Sequence, residues 1–382
     1  MAELKLPGTG RLVLREPEPL PARLRPSTSR VALAAAHVVA DPQGGNAPGA
    51  AAAVDWEATM AFRHRLWSLG LGVADAMDTA QRGMGLDWAA TKELITRSGA
   101  EARAVAGRLA CGVGTDQLTT PDPDPSEILA AYEQQLEVVE DAGAQPVLMA
   151  SRALAATAHG PDDYLRLYGH LIGQARQPVI LHWLGEMFDP ALRGYWGSPD
   201  LDRATGTVLA LVEEHADRID GIKVSLLDAD REIALRRALP DGVKLYTGDD
   251  FNYPQLIRGD ELGHSHALLG VFDPIAARAA AALHALDSGD LDRYDALLAP
   301  TLPLARHLFT TPTYHYKTGI VFLAWLAGHQ DHFTMVAGAQ SGRSVPHLVE
   351  LFRLADQAGV LPDPDLAVDR MRRFLAVAGV DA

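Results

Sequence analysis

A lysine stands inside a short apolar run, "DGIKVSLLDAD" (220–230), where Ile222, Val224 and Leu226 alternate with Lys223 and Ser225. Burying an ammonium is costly, so such a lysine either reaches water or sits where a lowered pKa has a use. A neutral amine adds to a carbonyl and forms a Schiff base. The plainer alternative is a strand-end lysine with its charge in solvent. His182, in "QPVILHWLG" (177–185), is a candidate acid or base, because imidazole titrates near neutral pH. Glu186 and Asp189 follow it in a loop and read as solvated. "YTGDDFNYP" (246–254) supplies Gly248, which permits close backbone approach, and Asp249, which can bind a substrate hydroxyl. Asp250 reads as an ordinary turn and helix cap. In "MDTAQRGMG" (77–85), the Thr79 hydroxyl, backbone amides around Gln81, and Arg82 can form a cradle for a carboxylate or oxyanion; an isolated Arg82 can equally be a surface residue. His264 and His266 alternate onto one face of "HSHALLGV" (264–271), with His266 expected nearer the substrate. His37 ends an early strand, so His37, His182 and His266 with an acid form an alternative set that could bind a metal, although no local ligand spacing supports it.

These residues need elements to hold them. Eight β-like runs recur at 30–41, 71–79, 108–116, 144–151, 177–185, 220–226, 242–250 and 264–271. Helical stretches separate them, such as "PSEILAAYEQQLEVVEDAG" (125–143) and "PDDYLRLYGHLIGQAR" (161–176). Strict alternation implies a parallel sheet, and eight units imply closure into a (β/α)8 barrel. An open doubly wound sheet is the second choice, but no G-x-G-x-x-G follows the first strand. After residue 300 the pattern is helical at 316–330, 344–359 and 365–379. The expected organisation is an N-terminal strap (1–29), a barrel (30–300) and a C-terminal helical extension (301–382). Barrel strands present active-site residues at their C-terminal ends.

Composition bounds the partners. The net charge of −15 argues against nucleic acid. The single cysteine, Cys111, excludes an internal disulfide. No apolar stretch is long enough to span a membrane, and the N-terminus lacks a signal-peptide pattern, so the expected compartment is the cytoplasm. Ile320, Phe322, Leu323 and Trp325 give the late helices a large apolar face, expected to pair with another copy.

Taken in order, "GIKVS", the "GDD" after the seventh strand, "CGVGTD" (111–116), "GVFDPIA" (270–276) and "YKTGIVFLAWLAG" resemble the dihydrodipicolinate synthase and N-acetylneuraminate lyase family. The likeness runs from about residue 30 to 360, and narrows to a dihydrodipicolinate-synthase-like branch. The resemblance implies a TIM barrel with class I aldolase chemistry and dimers or tetramers. It places the Schiff base on Lys223 and puts His182 where the family has a proton-shuttling tyrosine. The Thr-Thr pair that grips a keto-acid carboxylate falls on Thr79 and Ala80. The arginine after strand five falls near Met187, and an aromatic pair becomes Ser151 and Arg152. The lysine is kept while the keto-acid grip is altered. The expected function is therefore a Schiff-base lyase or aldolase acting on a small carbonyl compound, from a keto acid or a sugar. Lys223 is the nucleophile, His182 the acid/base, and Thr79, Gln81, Arg82, Ser225, Gly248, Asp249 and His266 bind substrate. No cofactor is required, since the iminium supplies the electron sink. A non-catalytic binding barrel is the remaining alternative.

Overall fold

The computed structural model describes residues 2–8 and 10–380. Its centre is a closed barrel of eight parallel strands: β3 (Ala32–Ala35), β4 (Gly72–Asp75), β5 (Leu109–Val113), β6 (Gln145–Leu148), β7 (Val179–Leu184), β8 (Ile219–Ser225), β9 (Lys244–Thr247) and β10 (His266–Leu269), with β10 pairing back onto β3. Seven lie within a predicted run, and β8 begins one residue ahead of its own. All but β8 are shorter than the runs, because the residues at the C-terminal ends leave the sheet to build the mouth. Two short strands precede the barrel, β1 (Glu3–Leu6) and β2 (Gly10–Val13), paired antiparallel.

The intervening helices start where the chain offers side-chain acceptors for their free N–H groups. Asp55, Asp87 and Asp200 each cap one, and the helix Pro125–Asp141 has a full capping box between Asp124 and Glu127. Two apolar layers result. Strand residues of one parity, including Leu33, Ala74, Ala110, Val147, Ile180, Tyr246 and Leu268, fill the barrel interior. Those of the other parity pack against the helices.

Register places the site. His182 on β7 pairs with Lys223 on β8, which pairs with Tyr246 on β9. Ile180 and Tyr246 belong to the interior cluster, so His182, two residues beyond Ile180, and Lys223, opposite Tyr246, also face inward. Beneath β4, Arg63 and Asp75 form a fully buried bidentate pair at 2.8 and 3.1 Å, to which Ser98 adds a third bond.

The C-terminal helices Tyr316–Leu326, Val345–Gln357 and Pro364–Val377 match the predicted stretches to within a few residues. The partner expected for them is corrected. Ile320, Phe322, Leu323 and Trp325 are all buried inside the chain, and Phe322 and Trp325 pack on Phe333. The helix is apolar on every side because the fold surrounds it, so these residues offer no face to a second copy. The N-terminal segment is tied down as well: Asp287 accepts bonds from Ser27, Thr28 and Ser29, and Arg372 donates to the Glu3 carbonyl. Among the described residues no helix is long and apolar enough to cross a membrane.

Candidate active site

Lys223 lies near the C-terminal end of β8, buried in the barrel. Its neighbour across the sheet explains the glycine of the "GDD" motif. A Cβ built on Gly248 would stand 2.9 Å from Lys223 Cε and 2.7 Å from the Val224 carbonyl, and closer still to Ser225 Oγ. The lysine side chain runs over that glycine. Burial pushes the Lys223 pKa down, opposed by the carboxylates of Asp78 and Asp250.

Asp250 was expected only to cap a turn, and the structure gives that work to Asp249 instead. Asp249 accepts bonds from the Phe251 and Asn252 amides at 2.8 and 3.0 Å and from the Asn252 side chain at 2.9 Å. Asp250 turns inward with the Tyr246–Gly248 parity, accepts one bond from the Val271 amide at 2.9 Å, and feels Lys223. Burial raises its pKa toward neutral pH, while the Val271 bond and the lysine hold it back. Period-two reading from Tyr246 would have found it.

His182 is fully buried, its Nε2 3.3 Å from Ser225 Oγ and its Nδ1 without a partner. Burial, then the Lys223 charge, pushes its pKa well down, so the ring is a neutral imidazole at physiological pH. The sequence reading made it the acid/base; its environment makes it a poor proton acceptor beside a cation.

The cradle expected around Thr79 is built differently. The Ala80 and Gln81 amides donate to the Met77 and Asp78 carbonyls within a tight turn, which removes them as oxyanion donors. The Gln81 side chain donates to the Val336 carbonyl at 3.0 Å and anchors the C-terminal extension. All five N–H donors of Arg82 are committed within the protein: two contacts to Asp116, one to Gln135, and one each to the Ala76 and Gly112 carbonyls. Arg82 therefore holds the loop ends together and has no donor free for a substrate. Thr79 keeps a polar role, its Oγ1 2.9 Å from the hydroxyl of Tyr316.

His266 opens β10 at the opposite, N-terminal end of the barrel, where its Nδ1 accepts the Val31 amide at 2.9 Å. It was expected nearer the mouth and is not brought to Lys223. Both ring nitrogens of His37 are engaged, Nδ1 with Asp273 at 2.7 Å and Nε2 with Gln330 at 2.9 Å. The three histidines of the alternative metal set thus do not converge, and among the described residues no group of three His, Cys, Asp or Glu side chains has a metal-binding arrangement.

Sequence reasoning missed two residues of the helical extension. Tyr316 closes over the mouth: a Cβ on Gly270 would meet its ring at 3.3 Å and Phe309 at 3.2 Å. Lys317 is buried beside Asp78, its Nζ 3.2 Å from the Tyr314 carbonyl, and burial lowers its pKa to about 8. No local pattern marks either, because they reach the site from about ninety residues beyond β8. Asp78, beside Thr79, was equally overlooked. It is half-buried and lines an open cleft with Arg82, Thr115, Met149 and Leu184 that leads to the strand ends. Ala76, Gln81 and Leu227 have left-handed backbone at φ 50°, 63° and 55°, so strained non-glycine residues collect around this mouth.

A family model described as "Protein of unknown function (DUF993)" matches residues 6–380. No curated protein matches the sequence. Among solved structures, a putative dihydrodipicolinate synthetase from Pseudomonas aeruginosa is 17% identical with a TM-score of 0.63, covering 86% of this chain and 100% of its own. A prophage protein of the dihydrodipicolinic acid synthase family from E. coli, in complex with pyruvate, is 14% identical at TM-score 0.64, with 87% and 100% covered. The 4-hydroxy-tetrahydrodipicolinate synthase of Methylacidiphilum fumariolicum is 14% identical at 0.63, with 90% and 99% covered. At these identities the likeness establishes a shared fold over most of the chain.

Proposed function

Since the chain belongs to the DUF993 family of proteins of unknown function, we propose its function from its own site: a class I aldolase-type lyase acting on a small carbonyl compound, with Lys223 as the nucleophile. The observation that carries this reading is the inward-facing, desolvated Lys223 laid over Gly248 and flanked by Asp250. A lysine with a lowered pKa holds the neutral amine that addition requires. The fold shared with dihydrodipicolinate synthases is consistent with it.

Chemically, the Lys223 amine adds to the carbonyl carbon, and loss of water gives an iminium. The bond between the α and β carbons breaks, its electron pair forms the enamine double bond to the iminium carbon, and the C=N π pair moves onto nitrogen. Asp250 takes the proton from the hydroxyl on the departing carbon, which leaves as an aldehyde. The resulting enamine is reprotonated, and water releases product and lysine. Asp250 suits the proton transfers because a carboxyl raised toward working pH is both a usable base and a usable acid. His182, neutral throughout, serves with Ser225 as a hydrogen-bonding strip along one side of the lysine. Trapping with cyanoborohydride across a panel of aldehydes and ketones, followed by peptide mass spectrometry, tests the assignment. A reduced adduct at Lys223, absent from Lys223→Arg, is expected. An active enzyme in which Lys223→Arg keeps full turnover would sink it.

A further inference from the structure

Resting on that Schiff-base reading, we infer that the donor substrate is an uncharged hydroxycarbonyl compound of the ketose or aldose type, and not a 2-keto acid. A keto acid places a carboxylate on the atom next to the one that Lys223 attacks. The structure provides little to receive it there. Both guanidinium groups on the cleft already have a carboxylate partner: Arg82 has all five donors committed, and Arg152, exposed at the rim, pairs through Nε with Asp189 at 2.5 Å. The Ala80 and Gln81 amides are closed into their own turn.

What faces the lysine instead is a set of acceptors and hydroxyls. Asp78 lines the cleft and Asp250 the interior, while Thr79, Tyr316 and Ser225 present hydroxyl groups. A carboxylate accepts hydrogen bonds from hydroxyl groups and repels another carboxylate. The unpartnered, fully buried Nδ1 of His182 is one more group able to meet a neutral hydroxyl. The two buried lysines share these carboxylates: Lys317 feels Asp78, and Lys223 feels Asp78 first and Asp250 second. Two lysines balance two carboxylates, so a neutral ligand leaves the site balanced and an anion brings a charge with no free partner. One uncompensated like charge within several ångströms costs roughly a factor of ten to a hundred in affinity.

The test compares dihydroxyacetone with pyruvate at equal concentration under cyanoborohydride. The chain has five lysines, so a peptide map assigns the adduct without ambiguity. The wild-type protein is expected to trap dihydroxyacetone on Lys223 at least about tenfold faster than pyruvate. In Asp78→Asn, which removes the carboxylate that both Lys317 and Lys223 feel, the ratio is expected to move toward pyruvate by a similar factor. Wild-type trapping of pyruvate as fast as dihydroxyacetone, a trapped pyruvate lost in Lys317→Met, or a ratio unchanged in Asp78→Asn would each overturn the inference while leaving the Schiff base standing. An absence of any Lys223 adduct across the full carbonyl panel would remove the Schiff base, and the inference with it.

Discussion

At the scale of single residues, the site turns on which group carries the proton beside Lys223. His182 and Asp250 are both buried, yet burial acts on them in opposite senses: it disfavours the imidazolium and favours the neutral carboxylic acid. Asp250→Asn is therefore expected to lower kcat by about 10²–10⁴ while the Lys223 adduct can still be trapped. His182→Asn, which keeps a hydrogen-bonding group, should cost far less in kcat. Single-turnover kinetics on the two variants separates the roles, and the reverse order of effects would return the proton to His182. Gly248→Ala tests the close approach. Its methyl meets Lys223 Cε, the Val224 carbonyl and Ser225, so overpacking is expected to cost about 1–3 kcal/mol and to misplace the amine. Urea unfolding together with trapping rates would show both effects; a fully stable, fully active variant would mean that the lysine lies elsewhere.

At the scale of elements, the barrel is held by buried polar groups beneath its strands. Glu232 is 1% exposed and accepts bonds from Thr247 at 2.9 Å and Ser265 at 2.8 Å, tying the helix Ala229–Ala238 to β9 and to the start of β10. Burial raises its pKa to about 8 from 4.5. The folded state thus holds a proton that the unfolded chain releases. Its contribution to stability is fully present below about pH 4.5 and is lost as pH rises through about 8. Wild-type unfolding free energy should fall by a few kcal/mol at most between pH 5 and 8.5, and Glu232→Gln should flatten that slope. Equal slopes in the two proteins would contradict this. Arg63→Met leaves Asp75 buried without its partner, and a loss of about 3–5 kcal/mol is expected in urea unfolding. The strands themselves were legible, since each predicted run coincides with one to within a residue at its start or contains it. Their ends were not: "RVALAAAHVVAD" is apolar from Val31 to Ala36 and again from Val38 to Ala40, but the described strand stops at Ala35, and His37 is drawn aside by Asp273 and Gln330.

At the scale of the whole molecule, the C-terminal extension is part of the site. Tyr316 bonds Thr79, Gln81 is fastened to Val336, and Phe309 packs on both Tyr316 and Phe188 from the loop after β7. Tyr316→Phe removes one hydroxyl from the mouth without changing the packed ring. It is expected to raise KM by about three- to tenfold, the equivalent of one hydrogen bond at about 0.5–1.5 kcal/mol, with little change in unfolding. Substrate titration of the variant checks it, and an unchanged KM would place Tyr316 outside the binding surface.

Local periodicity was enough to determine the alternating elements and the barrel they close into, whereas the inward direction of Lys223 and His182 came from their register with Tyr246 and Ile180. The same period, applied past Tyr246, separates Asp250 from Asp249. Which charges are free was decided only by tertiary structure. Arg82 looks available in "DTAQRG" until Asp116 and Gln135, 34 and 53 residues away, take its donors. His266 looks close to the site until β10 proves to begin there, at the far end of the barrel. Tyr316 and Lys317 sit in what reads as an ordinary apolar helix. A residue's type and spacing state what it can do; its pKa and its free donors depend on neighbours that the fold brings from distant parts of the chain.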